Sequence, residues 1–200
     1  MINRRIFLEA AAASALPAIA GARTNDAAGR FAVPTRGAVH TVLIDERYAP
    51  SRIVGGRLRA AGAVVHAVPD GDLTQVWLQH IGPAWREQPL TIAGLTARPA
   101  LFCLEQLALG CGLRVVFYAE HVVHEQGRTE HHLLRGAPAA GISSVDLALA
   151  GVLWPARIAQ GIATYSPPAM RERFGRSEAA VQPTLPPGAT LLTSWIIAAV

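Results

Sequence analysis

The sequence predicts an α/β domain. Its expected sheet is short, three-layered and mostly parallel (Rossmann- or flavodoxin-like), with an added β-hairpin and a C-terminal strand. Three observations carry that expectation. Between positions 39 and 118, short apolar runs alternate with helical stretches in the order strand, helix, strand, helix, strand, helix, strand, which is the rhythm of βαβ units. The runs are nearly continuous in apolar residues, as strands covered on both faces must be. The chain is 51% hydrophobic with a mean hydropathy of +0.28, enough for a sizeable core and too apolar for disorder.

The elements follow in order. Val39 to Ile44 is a β-rich run that ends at Asp45-Glu46-Arg47. Pro50 and Ser51 open a helix through Ala61 and Gly62 stops it, with proline near the start and glycine just past the end. Ala63 to Val68 is a second strand, closed by Pro69-Asp70-Gly71. Asp72 is suited to cap a helix to about Ile81, where Gly82-Pro83 is expected to break it. Leu90 to Ala93 is a third strand, followed by Gly94-Leu95-Thr96 as a loop and a helix from Pro99 to Leu109. Leu113 to Tyr118 is the fourth strand.

Beyond it the pattern changes. Tyr118 to His124 and Thr129 to Leu134 flank Glu125-Gln126-Gly127-Arg128, the signature of a β-hairpin. Ser143 or Ser144 can cap a helix reaching Trp154, where Pro155 kinks or ends it before Arg157 to Thr164. Leu191 to Ala199 reads as a closing strand at the sheet edge.

Composition excludes several functions. All 18 basic residues are arginine, so a lysine Schiff base, a P-loop lysine and a phospho-receiver lysine are ruled out. The formal charge is +4, and the arginines alternate with acids. No stripe suits nucleic acid, and the cluster Arg171, Arg173, Arg176 is interleaved with Glu172 and Glu178. Gly55 and Gly56 fall inside a helix, and the loop from Asp45 to Ser51 holds no glycine, so a dinucleotide fingerprint is missing. No G-x-S-x-G elbow occurs. Cys103 and Cys111 are eight residues apart on or near one helix. That is about 12 Å along the axis, against roughly 7 Å for a disulfide. Cys103 is expected in the core and Cys111, between two glycines, as the exposed thiol. Trp77, Trp85, Trp154 and Trp195 are expected in core or interface.

The N-terminus carries an address. Asn3-Arg4-Arg5-Ile6-Phe7-Leu8 resembles the bacterial twin-arginine export motif, with Glu9 where lysine is common. An alanine-rich stretch from Ala10 to Ala20 follows, with small-x-small cleavage sites around Ala20 and Ala22. The resemblance implies a signal over residues 1–22, with Arg4, Arg5, Phe7 and Leu8 as its determinants, recognition by the twin-arginine translocase, and a periplasmic mature protein that folds before export. A flexible leader over 23–37 and a single domain over 38–200 complete the expected organisation. After cleavage no segment approaches the roughly 20 apolar residues of a membrane span.

Ligands of parallel α/β sheets bind outside the carboxyl ends of the strands. That rule selects Asp45, Arg47, Asp70, Thr96, Arg98 and Glu120 as candidate ligand-binding residues. Four of the seven histidines lie between 121 and 132. With Gln126-Gly127 as a two-residue turn, His121 faces His132 on the side of Glu130, a set that could hold Zn²⁺ or Fe²⁺. Two functions remain in view. One is an accessory protein, small subunit or assembly partner of an exported redox enzyme. The other is a stand-alone periplasmic enzyme or binding protein for a small polar or metal-bound ligand. An apolar surface patch favours the first and a concave polar pocket the second.

Overall fold

Six strands form one sheet in the order β2-β1-β3-β6-β4-β5. The computed structural model describes residues 39–136, 140–166 and 185–199, all within one unit, Pro34–Val200. The twin-arginine-like segment, the leader and the Arg171–Arg176 cluster lie outside the described residues. β1 (Thr41–Ile44), β2 (Val64–Ala67) and β3 (Ile92–Ala97) pair in parallel. β6 (Thr190–Ala199) runs antiparallel between β3 and β4 (Leu113–Val123), and β5 (Thr129–Arg135) pairs antiparallel with β4 at the edge. The fold is mixed α/β: parallel at one end and antiparallel elsewhere.

That arrangement corrects two expectations. The last strand is central, not an edge: Ile196 and Ile197 are fully buried, and both neighbours of β6 are paired with it over most of its length. Alternation along a strand cannot reveal this, because a strand buried on both faces reads the same wherever it is inserted. The fourth strand and the first arm of the hairpin are also one continuous strand, β4, with a bulge at Val116 where its register against β6 shifts.

The helices follow local chemistry. α1 (Ala49–Ala60) has Pro50 in its first turn, and Gly62 follows its end at φ 93°. Gly55 lets α1 sit directly on β1, since a Cβ there would lie 2.6 Å from the Ile44 Cδ1. Asp72 caps the next helix as expected, its carboxylate accepting from the Thr74 amide at 2.8 Å. That helix does not break at Gly82-Pro83. α2 (Thr74–Val76) widens into a π-helical stretch, Trp77–Ile81, and continues as α3 (Gly82–Glu87). The Gly82 amide reaches back to the Trp77 carbonyl, and the wider turn accommodates Pro83, which has no N–H to place. α4 (Arg98–Leu109) buries Ala100, Leu101, Leu104 and Ala108. Cys103 lies off that face and is exposed, whereas Cys111 is partly buried against the core. Both assignments from sequence are thereby reversed.

α5 (Ser144–Ala150) begins with a full capping box. The Ser143 hydroxyl accepts from the Asp146 amide at 3.0 Å, and the Asp146 carboxylate accepts from the Ser143 amide at 3.2 Å. Ser143→Ala is therefore expected to cost about 1 kcal/mol, measured as a lowered urea midpoint with an unchanged slope. A 3₁₀ turn, Gly151–Leu153, leads to α6 (Trp154–Ala163), with Pro155 in its first turn.

Two apolar clusters occupy the two faces of the sheet. One joins Val42, Ile44, Leu95, Phe117 and Ile196 to α1, α5 and α6 through Val54, Leu58, Leu147, Ile158 and Ile162. The other joins Leu43, Ile92, Val115, Trp195 and Ile197 to the 74–87 helix and α4 through Val76, Trp85, Leu101 and Leu104. Alternate residues of one strand, such as Val42 and Leu43, enter opposite clusters, as strand geometry requires.

Candidate functional site

The residues expected at the strand ends form two separate ion-paired groups, although Glu120 lies inside β4 rather than after it. After β1, Asp45 is completely buried and Arg47 grips it with two bonds, Nε to Oδ1 at 2.9 Å and Nη2 to Oδ2 at 2.7 Å. Such a fork is the strong form of the interaction. The Asp45 bond pushes the Arg47 guanidinium further up from its ordinary range, and the nearby charge of Asp70 adds to it. Asp70 follows β2 at φ 51°, a left-handed conformation that aspartate tolerates better than most residues.

The second group joins α4 and β4. Glu120 is buried, yet its Oε1 accepts from Arg98 Nη1 at 3.0 Å and from the Tyr118 hydroxyl. Burial first, then the bond to Glu120, pushes the Tyr118 phenol well above its usual range. Arg98 stays about one-third exposed above the pair. Arg98→Met removes the charge that balances the buried Glu120 carboxylate. The expected cost is about 1–3 kcal/mol, seen as a lower urea midpoint than that of the unsubstituted protein at pH 7.

Thr96 belongs to neither group. It lies inside β3 rather than in a loop after it, and Gly94 and Leu95 are in the same strand. The Thr96 hydroxyl accepts from Trp195 Nε1 at 3.1 Å, and its carbonyl accepts from Thr193 Oγ1 at 3.1 Å. Its polar groups serve the sheet. Gly94 is also explained: a Cβ there would meet the Trp195 Cζ2 at 2.5 Å and the Leu43 carbonyl at 2.6 Å. The glycine makes room for an indole, not for an anion.

The hairpin register differs from the expectation by one residue. Glu125, Gln126 and Gly127 form a three-residue loop closed by His124 and Arg128, with Gly127 at φ 81°. This is a type I turn followed by a glycine bulge. An odd loop moves every partner by one position, and a one-residue slip exchanges the faces. His121 therefore opposes His131, while Glu130 opposes Val122 and His132 opposes Glu120. The suggested set of His121, Glu130 and His132 is split across the two sides of the hairpin. Glu130 instead pairs with Arg128 and with His124. Among the described residues no three histidine, cysteine or carboxylate side chains are placed to hold a metal ion.

In place of that set, the fold assembles a buried chain. Ser194 Oγ lies 2.8 Å from His121 Nε2, and His121 Nδ1 lies 2.8 Å from His131 Nδ1. The Trp154 ring stacks on His121 at 4.4 Å and meets His131 edge-on at 5.2 Å. Burial, followed by the neighbouring His131 and His132, holds His121 well below its ordinary range. His131 is lowered to about 4 by burial and by His132. Serine, histidine and a second histidine in line have the connectivity of an activated nucleophile. Here Ser194 and His121 are completely buried beneath Trp154, so no substrate atom can reach the hydroxyl. The chain satisfies polar groups inside an apolar layer, and among the described residues no buried side-chain nitrogen or oxygen is without a partner.

Sequence reasoning reached Asp45, Arg47 and Arg98 because each follows an apolar run, and it named Glu120 while placing it after a strand that in fact continues to Val123. It missed Tyr118, His131, Ser194 and Trp154 as members of these groups. Ser194 is 73 residues from the histidine it bonds, and no local pattern marks such a contact.

The other exposed feature is apolar. Val145, Leu149, Val152 and Leu153 are 63%, 82%, 82% and 63% exposed. Val145 and Leu149 are one turn apart on α5, and Val152 and Leu153 follow in the 3₁₀ turn beyond Gly151 at φ 51°. Beside them a groove of about 510 Å³ runs between α1 and α6. Comparison with family models, curated proteins and solved structures finds no match to this chain.

Proposed function

We propose that this protein is an exported accessory protein, a small subunit or assembly partner of a periplasmic redox enzyme, and that it works by docking rather than by catalysis. The observation that carries this reading is the exposed stripe Val145, Leu149, Val152 and Leu153. Four large aliphatic side chains exposed between positions 145 and 153 are costly to leave in water, and exposed apolar surface of this kind marks interaction sites. The twin-arginine-like segment supplies the compartment, since that route carries proteins already folded or assembled. The strand-end residues favour the alternative, a binder of small polar ligands, less well. Asp45 and Glu120 are already neutralised by Arg47 and Arg98 and are shielded from solvent.

The test uses the full chain at native expression in its bacterial host. The mature protein is expected in the periplasmic fraction in a complex larger than a monomer. Arg4→Lys with Arg5→Lys is expected to hold the precursor in the cytoplasm. A monomer throughout the periplasmic fraction would count against the accessory reading, and export unchanged by the double substitution would remove the twin-arginine assignment.

A further inference from the structure

The groove between α1 and α6 is lined by Leu58, Leu153, Ala156, Ala159, Arg57 and Arg157, with no carboxylate among its lining residues. Its floor is made of small side chains, so another backbone can come close. Its rim is cationic. Neither arginine makes an ion pair with a described residue. Arg157 only donates to the Gln160 side chain at 2.5 Å and to the Gly141 carbonyl at 3.3 Å, both neutral acceptors. Leu153 belongs both to the groove and to the exposed stripe, so the two form one continuous surface.

We infer that this surface receives one amphipathic helix of a partner protein, with aliphatic residues against the alanine floor and carboxylates facing Arg57 and Arg157. The inference rests on the accessory reading and adds to it the place and the chemistry of the contact. Three properties select this occupant. The groove lies between two helices, the geometry in which a third helix inserts its apolar face. Guanidiniums with no ion pair among the described residues call for carboxylates, which arginine binds in a planar fork. A second copy of this chain is disfavoured, because a two-fold contact would bring its own Arg57 and Arg157 to the same rim. The stripe on α5 then extends the contact beyond the groove, and the partner covers Leu149 and Val152.

The experiment places a photo-crosslinking amino acid at Leu149 or Val152 in the full chain, expressed in its host. Leu78, 62% exposed on the opposite side of the sheet, is the control position. Crosslinked peptides are sequenced by mass spectrometry. The expected result is a crosslink from both stripe positions beside the groove, and not from Leu78, to a single segment of one other protein. That segment should carry aliphatic residues at helical spacing flanked by Asp or Glu. Arg57→Glu, at an exposed position, should lower the yield by about fivefold or more, as reversal of a rim charge does, while circular dichroism and melting temperature stay unchanged. Leu149→Ser with Val152→Ser, at positions too exposed to affect folding, should lower it as well. A crosslink to a second copy, to another part of the same chain, or to a basic segment would overturn the inference. A larger complex that crosslinks only through Leu78 would also overturn it and leave the accessory reading standing. A monomer with no crosslink anywhere would remove both.

Discussion

Trp195→Ala is expected to leave little folded protein at 37 °C. Trp195 is completely buried at the centre of the sheet, and its indole N–H donates to Thr96 Oγ1. Removing a buried tryptophan costs about 3–5 kcal/mol through lost transfer energy and the cavity left behind. The Thr96 hydroxyl loses its partner at the same time. A domain of this size holds about 5–15 kcal/mol in total, so most of its margin disappears. The effect is tied to one neighbour. Gly94 lies under the indole, and Gly94→Ala alone is expected to cost about 1–3 kcal/mol by overpacking. The two substitutions should not add, because alanine at 94 clashes with the ring that Trp195→Ala removes. Rescue will be partial, since the Leu43 carbonyl also crowds that position. Urea denaturation of the two single variants and the double variant measures this coupling. Strict additivity would mean that the indole does not dictate the glycine.

Mild acid is expected to unfold the protein through the buried histidines. In the unfolded chain both titrate near 6.5, whereas in the folded protein His131 is lowered to about 4 and His121 lies well below its ordinary range. The native state therefore binds fewer protons than the unfolded state across this window. The stability contribution is complete above about pH 6.5 and is lost as the pH falls toward 4. His131, lowered to about 4, and His121, lowered further by complete burial, both contribute to the loss. Protonation also places a hydrogen on both Nδ1 atoms of the 2.8 Å contact, which turns an attraction into repulsion beneath Trp154. Melting temperatures between pH 7.5 and 4.5 read the slope. His121→Leu with His131→Leu should flatten it, even where the plateau is lower. An unchanged slope in that variant would assign acid sensitivity to the carboxylates instead.

The sequence reading succeeded where signals are local. β1, α1 and β2 begin and end within a residue or two of the positions marked by Pro50, Gly62 and Pro69, because proline, glycine and capping residues act on the backbone of their own turn. The Asp72 and Ser143 caps were legible for the same reason. It failed where a second segment decides. Gly94 reads as a loop residue until Trp195 is laid across it. Gly82-Pro83 reads as a break until a π-helical turn absorbs it. The hairpin partners depend on whether two or three residues form the loop, and the sequence around Gly127 permits either.

The candidate site divides in the same way. Apolar runs that end in polar residues located Asp45, Arg47 and Arg98 at the strand ends, whereas Glu120, expected after the fourth strand, lies inside β4. Only the tertiary structure decided that Arg47 clamps Asp45 and that Arg98 and Tyr118 hold Glu120. The sequence by itself determined an α/β chain with a parallel βαβ half, its caps and turns, an arginine-only basic complement and an N-terminus resembling an export signal. The tertiary structure alone decided that the last strand lies between β3 and β4, that His121 meets His131 and Ser194, and that Leu149 and Val152 stay exposed. The physical reason is range. Caps, turns and hydrophobic periodicity act over a few neighbouring residues. Strand order, hairpin register and the burial of a given face are set by the total area that distant segments remove from water, which no single stretch of chain encodes.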